Sequence, residues 1–185
     1  MRGPAAPWWV GGGYAIQLAV GHACREHDVD IVLLRRDQLE ARRLLDGWDF
    51  HVPGLTDGLR PWALDEVVPG QAHNVWVRER PGGPWRFELL LEDVDGQEWI
   101  YRRDRRIRRP LAELTVEADG LRLVAPEVQL LYKVLYKTQG MRRKDEVDFE
   151  AILPRLTQGQ RRWLEAALEA GRDAHPWRER LRHMA

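Results

Sequence analysis

A chain of 185 residues, 44% of them hydrophobic, is long enough for one domain with a full core, or for a small α/β domain with a helical appendage. Its 29 basic and 29 acidic residues cancel, so no whole-molecule field draws it to nucleic acid or a membrane surface. The single cysteine, Cys24, excludes an internal disulfide framework. No apolar run approaches the ~20 residues of a membrane span, and Met1–Pro7 has no hydrophobic stretch of a secretory signal. These features predict a soluble cytoplasmic protein.

Trp8, Trp9 and Val10 read as a first strand, and Gly11-Gly12-Gly13 as a turn whose missing side chains let the backbone approach a ligand. Tyr14 to Val20 is a short helix closed by Gly21. The next strand starts at Asp28. Side-chain alternation puts Asp28 and Asp30 on one face, and the unbroken Val32-Leu33-Leu34 run marks a strand covered on both sides. Asp37-Gln38-Leu39-Glu40 is a capping-box pattern opening a helix to Leu45, and Trp48–Val52 is a strand. Residues 53–70, rich in proline and glycine, form a long connection holding Leu59-Arg60-Pro61-Trp62. Asn74–Arg80 and Trp85–Glu92 alternate as a hairpin around Pro81-Gly82-Gly83-Pro84, and Gln97–Arg103 is a further strand. The pattern changes at Pro126. A helix opens there with Leu130, Leu131, Val134 and Leu135 at helical spacing. A second runs from near Lys144 to Pro154, burying Val147, Phe149, Ile152 and Leu153. Thr157-Gln158-Gly159-Gln160 is another capping box, before Trp163, Leu164 and Leu168, and Pro176 opens a last short helix.

Two ionised carboxylates side by side on a central strand repel each other and resist burial, so a cation between them is expected, and a divalent metal is the obvious candidate. The plainer reading is a pair of solvated acids at a strand start. Gly12-Gly13 shifts the balance, because it opens a helix whose amide groups can hold phosphate.

Trp9-x-x-Gly12-Gly13-x-Ala15-Ile16, then Gly21, then Arg25-x-His27-Asp28-x-Asp30, resembles the nucleotidyltransferase superfamily, the polymerase-beta-like fold. Within it the pattern is most similar to small bacterial aminoglycoside and lincosamide nucleotidyltransferases. Arg102-Arg103-Asp104-x-Arg106-Ile107-x-Arg109-Pro110, Ala125-Pro126-Glu127-x-Gln129-Leu130-Leu131 and Lys144-Asp145-x-x-Asp148-Phe149 resemble downstream elements of relatives. The resemblance implies an α+β fold with a mixed β-sheet nucleotidyltransferase core (1–125) flanked by helices, and a C-terminal helical subdomain (126–185). It also implies Mg²⁺ in a two-metal site and a nucleoside triphosphate, ATP among them, as donor. By position, Gly12 and Gly13 would hold the triphosphate, while Asp28 and Asp30 would ligate metal as catalytic residues. The resemblance further implies a third acid from a neighbouring strand. Glu88, mid-strand, is preferred for that catalytic and metal-binding place, with Glu92 as runner-up and a solvent-facing glutamate as the plain alternative.

All three lysines, Lys133, Lys137 and Lys144, fall within twelve residues. Lys133 and Lys137 share one helical face, as triphosphate ligands or as a solvated face opposite the leucines. Lys144-Asp145 reads as a helix cap with a surface charge. Arg25 is a candidate to steer phosphate or to pair with Asp28, and His27 reads as a packed or hydrogen-bonded residue. The six arginines of Arg102–Arg109 read first as a strand end and loop with mixed ion pairs, and second as an RNA contact. Trp62 is the tryptophan placed to stack on a base or sugar.

Relatives usually carry a helix before the first strand, where this chain has seven residues, which suggests a truncated or misassigned start. They also often carry an acid at the position of Gln17. Aminoglycoside sites are typically acidic, so zero net charge counts against a polycationic acceptor. The expected function is therefore Mg²⁺-dependent transfer of a nucleoside monophosphate to a hydroxyl of a small molecule. The alternatives are a toxin-like enzyme acting on tRNA and a degenerate nucleotide-binding scaffold.

Overall fold

The computed structural model describes residues 6–21, 29–54, 58–134, 142–171 and 175–183. It is an α+β fold, as the sequence predicts. One mixed ten-stranded sheet, joined by six helices among the described residues, runs in the order Leu59–Pro61 (β4), Asp49–Pro53 (β3), Asn74–Arg78 (β5), Phe87–Asp95 (β6), Asp30–Leu34 (β2), Trp8–Gly11 (β1), Leu121–Val124 (β10) and Thr115–Ala118 (β9); Glu98–Ile100 (β7) and Arg108–Pro110 (β8) extend it from β6.

At its centre, β1 (Trp8–Gly11) is antiparallel to β2 (Asp30–Leu34), and β2 is parallel to β6 (Phe87–Asp95). Val32, Leu33 and Leu34 are all buried. Val32 and Leu34 face one apolar cluster and Leu33 the other, as a strand covered on both sides requires. Helix α1 (Gly12–Ala19) ends with Gly21 in the left-handed region, its N–H on the Leu18 carbonyl at 3.0 Å.

On one flank of the sheet, β3 (Asp49–Pro53), β4 (Leu59–Pro61), which forms the edge, and β5 (Asn74–Arg78) wrap a second core around Phe50, Val75 and Val77. Trp62 belongs to that core. It is buried edge-on to Phe50 with its indole N–H on the Glu66 carbonyl, so it does not serve as a stacking platform. Leu59–Pro61, which the proline- and glycine-rich pattern predicts to be loop, forms β4, because it pairs antiparallel with His51–Pro53. The Asp37 capping box does not form. A 3₁₀ turn over Arg35–Asp37 precedes α2 (Gln38–Leu44), and Asp37 makes no side-chain cap bond.

Strands β7 (Glu98–Ile100) and β8 (Arg108–Pro110) lead to a hairpin of β9 (Thr115–Ala118) and β10 (Leu121–Val124), and β10 pairs in parallel with β1. Asp119 and Gly120 both turn through positive φ, the geometry of a two-residue hairpin loop. Helices α3 (Pro126–Val134), α4 (Arg143–Ile152), α5 (Gln158–Ala170) and α6 (Pro176–His183) close the largest core over Trp9, Val32 and Leu34. The Thr157 capping box forms in both directions. Within α4, Phe149 and Ile152 are buried but Val147 is 57% exposed, because it lies on the outer side of the helix. Leu135 lies outside the described residues.

Candidate active site

Strand register builds the site. Gly11 pairs with Asp30, Asp30 with Glu88, Glu88 with Trp76, and Trp76 with His51, one row across five adjacent strands. Cross-strand partners project to the same face, so two carboxylates stand side by side between a glycine and a tryptophan. Gly12, with φ of +63°, makes this possible: a Cβ there would lie 1.8 Å from Oδ2 of Asp30. Its own N–H donates to Oε1 of Gln129 at 3.1 Å, so α3 reaches the start of α1. Asn74 Nδ2 donates to Oε1 of Glu88.

Glu92 lies on the same face of β6 but in different surroundings. It is opposite Leu34 and only 5% exposed, and it accepts from Trp99 Nε1 at 2.6 Å and from the Tyr132 hydroxyl at 2.7 Å. Burial pushes its carboxyl above the usual glutamate range, and burial beside Glu92 pushes the Tyr132 phenol up as well.

Two clefts meet at Asp30 and Glu88, and Gly13 and Lys144 line both. The first, of about 270 Å³, runs toward α3 and α4 and carries Arg102, Arg103 and Lys133. The second, of about 300 Å³, runs toward β5 and carries Trp76, Trp85 and Arg86. Lys133 is on no solvated face: it is about 10% exposed, with Nζ 3.3 Å from Asp145 and 2.5 Å from Asp148. Asp145 is buried and also holds Arg142 at 2.7 Å, so it is no surface charge, whereas Lys144 is exposed at the cleft mouth.

The arginine segment divides. Arg102 and Arg103 line the first cleft, with Arg103 donating to the Tyr132 carbonyl at 2.7 Å. Arg106 pairs with Asp104 and Arg108 with Asp95, while Arg109 is buried against Glu127 at 2.8 Å. That is the mixed ion pairing the sequence favours, with two members diverted to the cleft.

Residues 1–53, which contain the glycine turn and both aspartates, match the aminoglycoside-2''-adenylyltransferase family. The solution structure of the antibiotic-resistance factor ANT(2'')-Ia is 15% identical, with a TM-score of 0.56 over 97% of this chain and 89% of that one. The crystal structure of ANT(2'')-Ia in complex with adenylyl-2''-tobramycin is 13% identical, with a TM-score of 0.55 over 89% and 88%. Lincosamide antibiotic adenylyltransferase LnuA, bound to lincomycin, is 12% identical, with a TM-score of 0.50 over 80% and 85%. The chain has the nucleotidyltransferase fold. Its likeness to the aminoglycoside and lincosamide nucleotidyltransferases, read first from its motif, holds in three dimensions, although no curated protein sequence matches it.

In this nucleotidyltransferase-like chain, Asp28, Arg25, His27 and Lys137 lie outside the described residues. Among the described residues no three His, Cys, Asp or Glu side chains converge as a ready-made metal cage, and no helix is long and apolar enough to cross a membrane. Magnesium is commonly held by one or two carboxylates together with substrate phosphates, and the Asp30–Glu88 pair fits that donor set. Sequence reasoning missed Asn74, Trp76, Arg102, Gln129 and Tyr132. Alternation puts Asn74 and Trp76 on one face of β5, but only strand order puts that face beside Glu88.

Proposed function

We propose that this chain is a nucleotidyltransferase that moves a nucleoside monophosphate from a triphosphate to the hydroxyl of a small molecule. The observation that carries the reading is the Asp30–Glu88 register pair lying against Gly12, where a Cβ would overlap the Asp30 carboxylate and the positive φ would strain any side chain. Asp30 and Glu88 would hold Mg²⁺, and Asp28, two residues before Asp30 in the sequence, would join them. The bound ion would screen phosphate charge and orient the attacking oxygen.

The chain's own residues do the rest. Glu88, fixed by Asn74, accepts the proton of the acceptor hydroxyl as its oxygen bonds to the α-phosphorus. The bond from that phosphorus to the bridging oxygen breaks, and pyrophosphate leaves. Arg102, Arg103 and Lys144 line the first cleft and supply positive charge for the departing phosphates, while Gly13 keeps the backbone low enough for their approach. Lys133 contributes by holding Asp145 and Asp148, which anchor the start of α4 and so place Lys144. In this reading 1–125 form the catalytic core, and the helices of 126–185 wall the donor cleft. The separated arginines form no continuous phosphate track, which favours a small acceptor over RNA. The reading also fits a soluble cytoplasmic bacterial enzyme.

Titration of wild type with ATP, GTP, CTP and UTP, with and without Mg²⁺, tests it. Tight binding of one triphosphate that needs Mg²⁺ and disappears in Asp30→Ala is the expected result. Equal binding by Asp30→Ala, or none by wild type, would leave a scaffold without this chemistry.

A further inference from the structure

The second cleft says what kind of acceptor the site takes. Its walls combine the two carboxylates with two tryptophans and two cations. Trp76 stands next to Glu88 in strand register, so its ring borders the reacting position directly. Trp85 is 41% exposed at the outer edge. Its indole is held in place by Arg78, whose guanidinium lies 4.4 Å from the ring centroid, and by His51, edge-on at 5.3 Å. Arg78 is itself fixed by Asp49 at 2.6 Å. A large aromatic surface kept partly in water by this much support is a rigid anchor rather than a loose surface side chain.

Charge narrows the choice further. Once Asp30 and Glu88 are engaged with metal and the acceptor hydroxyl, the remaining charged residues lining this cleft are Arg86 and Lys144, both cations. Arg86 is shared with Glu79 at 2.8 Å, out at the exposed rim. Among the described residues that line this cleft, no third carboxylate is placed to neutralise a polycationic acceptor. A sugar or an aryl ring has an apolar face that suits indole, and hydroxyls that can reach the Asp30–Glu88 row.

We infer that the Trp76–Trp85 cleft is the acceptor subsite, and that it takes a hydroxylated compound with a flat or apolar ring face and at most one positive charge. This rests on the nucleotidyl-transfer reading for the role of the subsite, but not for its binding chemistry.

Calorimetric titration separates the two. The full chain, with Mg²⁺ and the α,β-methylene analogue of ATP, is titrated with p-nitrophenyl β-D-glucoside (neutral), lincomycin (one amine) and tobramycin (polycationic). The glucoside and lincomycin should bind wild type at least about tenfold more tightly than tobramycin does. Trp85→Ala should weaken the glucoside about tenfold and Trp85→Phe much less, because the ring is what binds. Arg86→Glu should strengthen tobramycin. Tightest binding of tobramycin to wild type, an unchanged glucoside affinity in Trp85→Ala, or no binding of any probe would overturn the inference. If the ATP analogue fails to bind while the glucoside still binds through Trp85, nucleotidyl transfer falls and the aromatic subsite stands.

Discussion

Glu88 and Glu92 are the same residue type on the same face of the same strand, yet they have opposite fates. Glu88 stands at the mouth of two clefts beside Asp30, tied to Asn74. Two repeats of the pleat further on, Glu92 is roofed by α3 and tied to Trp99 and Tyr132. The strand supplies both carboxylates at equivalent orientation, and the covering layer decides which one can meet solvent and substrate. A sheet face can thus be half open cleft and half core, and the helical layer that covers Glu92 sets the border between them.

The largest test of that division is Asp30→Asn or Glu88→Gln. Either should lower the transfer rate on the order of 10²–10³-fold, the scale of losing one preorganised electrostatic contact. Their unfolding midpoints should stay close to wild type. A rate left within tenfold would erase the distinction between the two halves.

Lys133→Met probes the border itself. It strips a mostly buried ammonium from Asp145 and Asp148, and should cost about 3 kcal/mol in urea unfolding. Lysine held there chiefly to bind phosphate predicts the reverse pattern, weaker triphosphate binding with stability unchanged.

On the covered side, Glu92→Ala leaves the Trp99 N–H and the Tyr132 hydroxyl without their acceptor, and should cost about 2 kcal/mol. Glu92→Gln keeps an acceptor oxygen and should stay within about 1 kcal/mol of wild type. Its effect is in the pH profile. Folded Glu92 holds its proton more tightly than the unfolded chain does, so wild-type stability falls as pH rises above the ordinary glutamate value of 4.5 toward the raised folded value. Above both values the loss is constant. Glutamine cannot titrate, so the variant should lack that decline. A wild-type stability that instead rises relative to Glu92→Gln across this interval would mean that Glu92 is held ionised.

How much of this was legible in sequence depended on the range of the forces involved. The β1–α1–β2 unit, the Thr157 cap and the helix starting at Pro126 rest on neighbours a few residues apart, and they appear close to where the pattern puts them. The β9–β10 hairpin carries a local signal too, the Asp119-Gly120 pair at its turn. The Asp37 cap fails because Asp37 closes a 3₁₀ turn, with φ of −99° and ψ of 5°, and lacks the extended backbone that aims an N-cap side chain at the helix amides. Trp62 reads as a loop residue until β4 folds it onto Phe50.

By itself the sequence determined the first strand and helix, the Thr157 cap, the helix opening at Pro126 and the glycine-then-aspartate motif, because periodicity, caps and turn residues act over a few positions. Only the tertiary structure decided that Asp30 meets Glu88, that Lys133 is paired with two aspartates, and that Trp76 and Trp85 line a cleft with the Asp30–Glu88 pair. Those facts depend on strand order and on which helix covers which half of the sheet. Both are set by contacts between residues as far apart in the chain as Gly12 and Gln129, which no local pattern encodes.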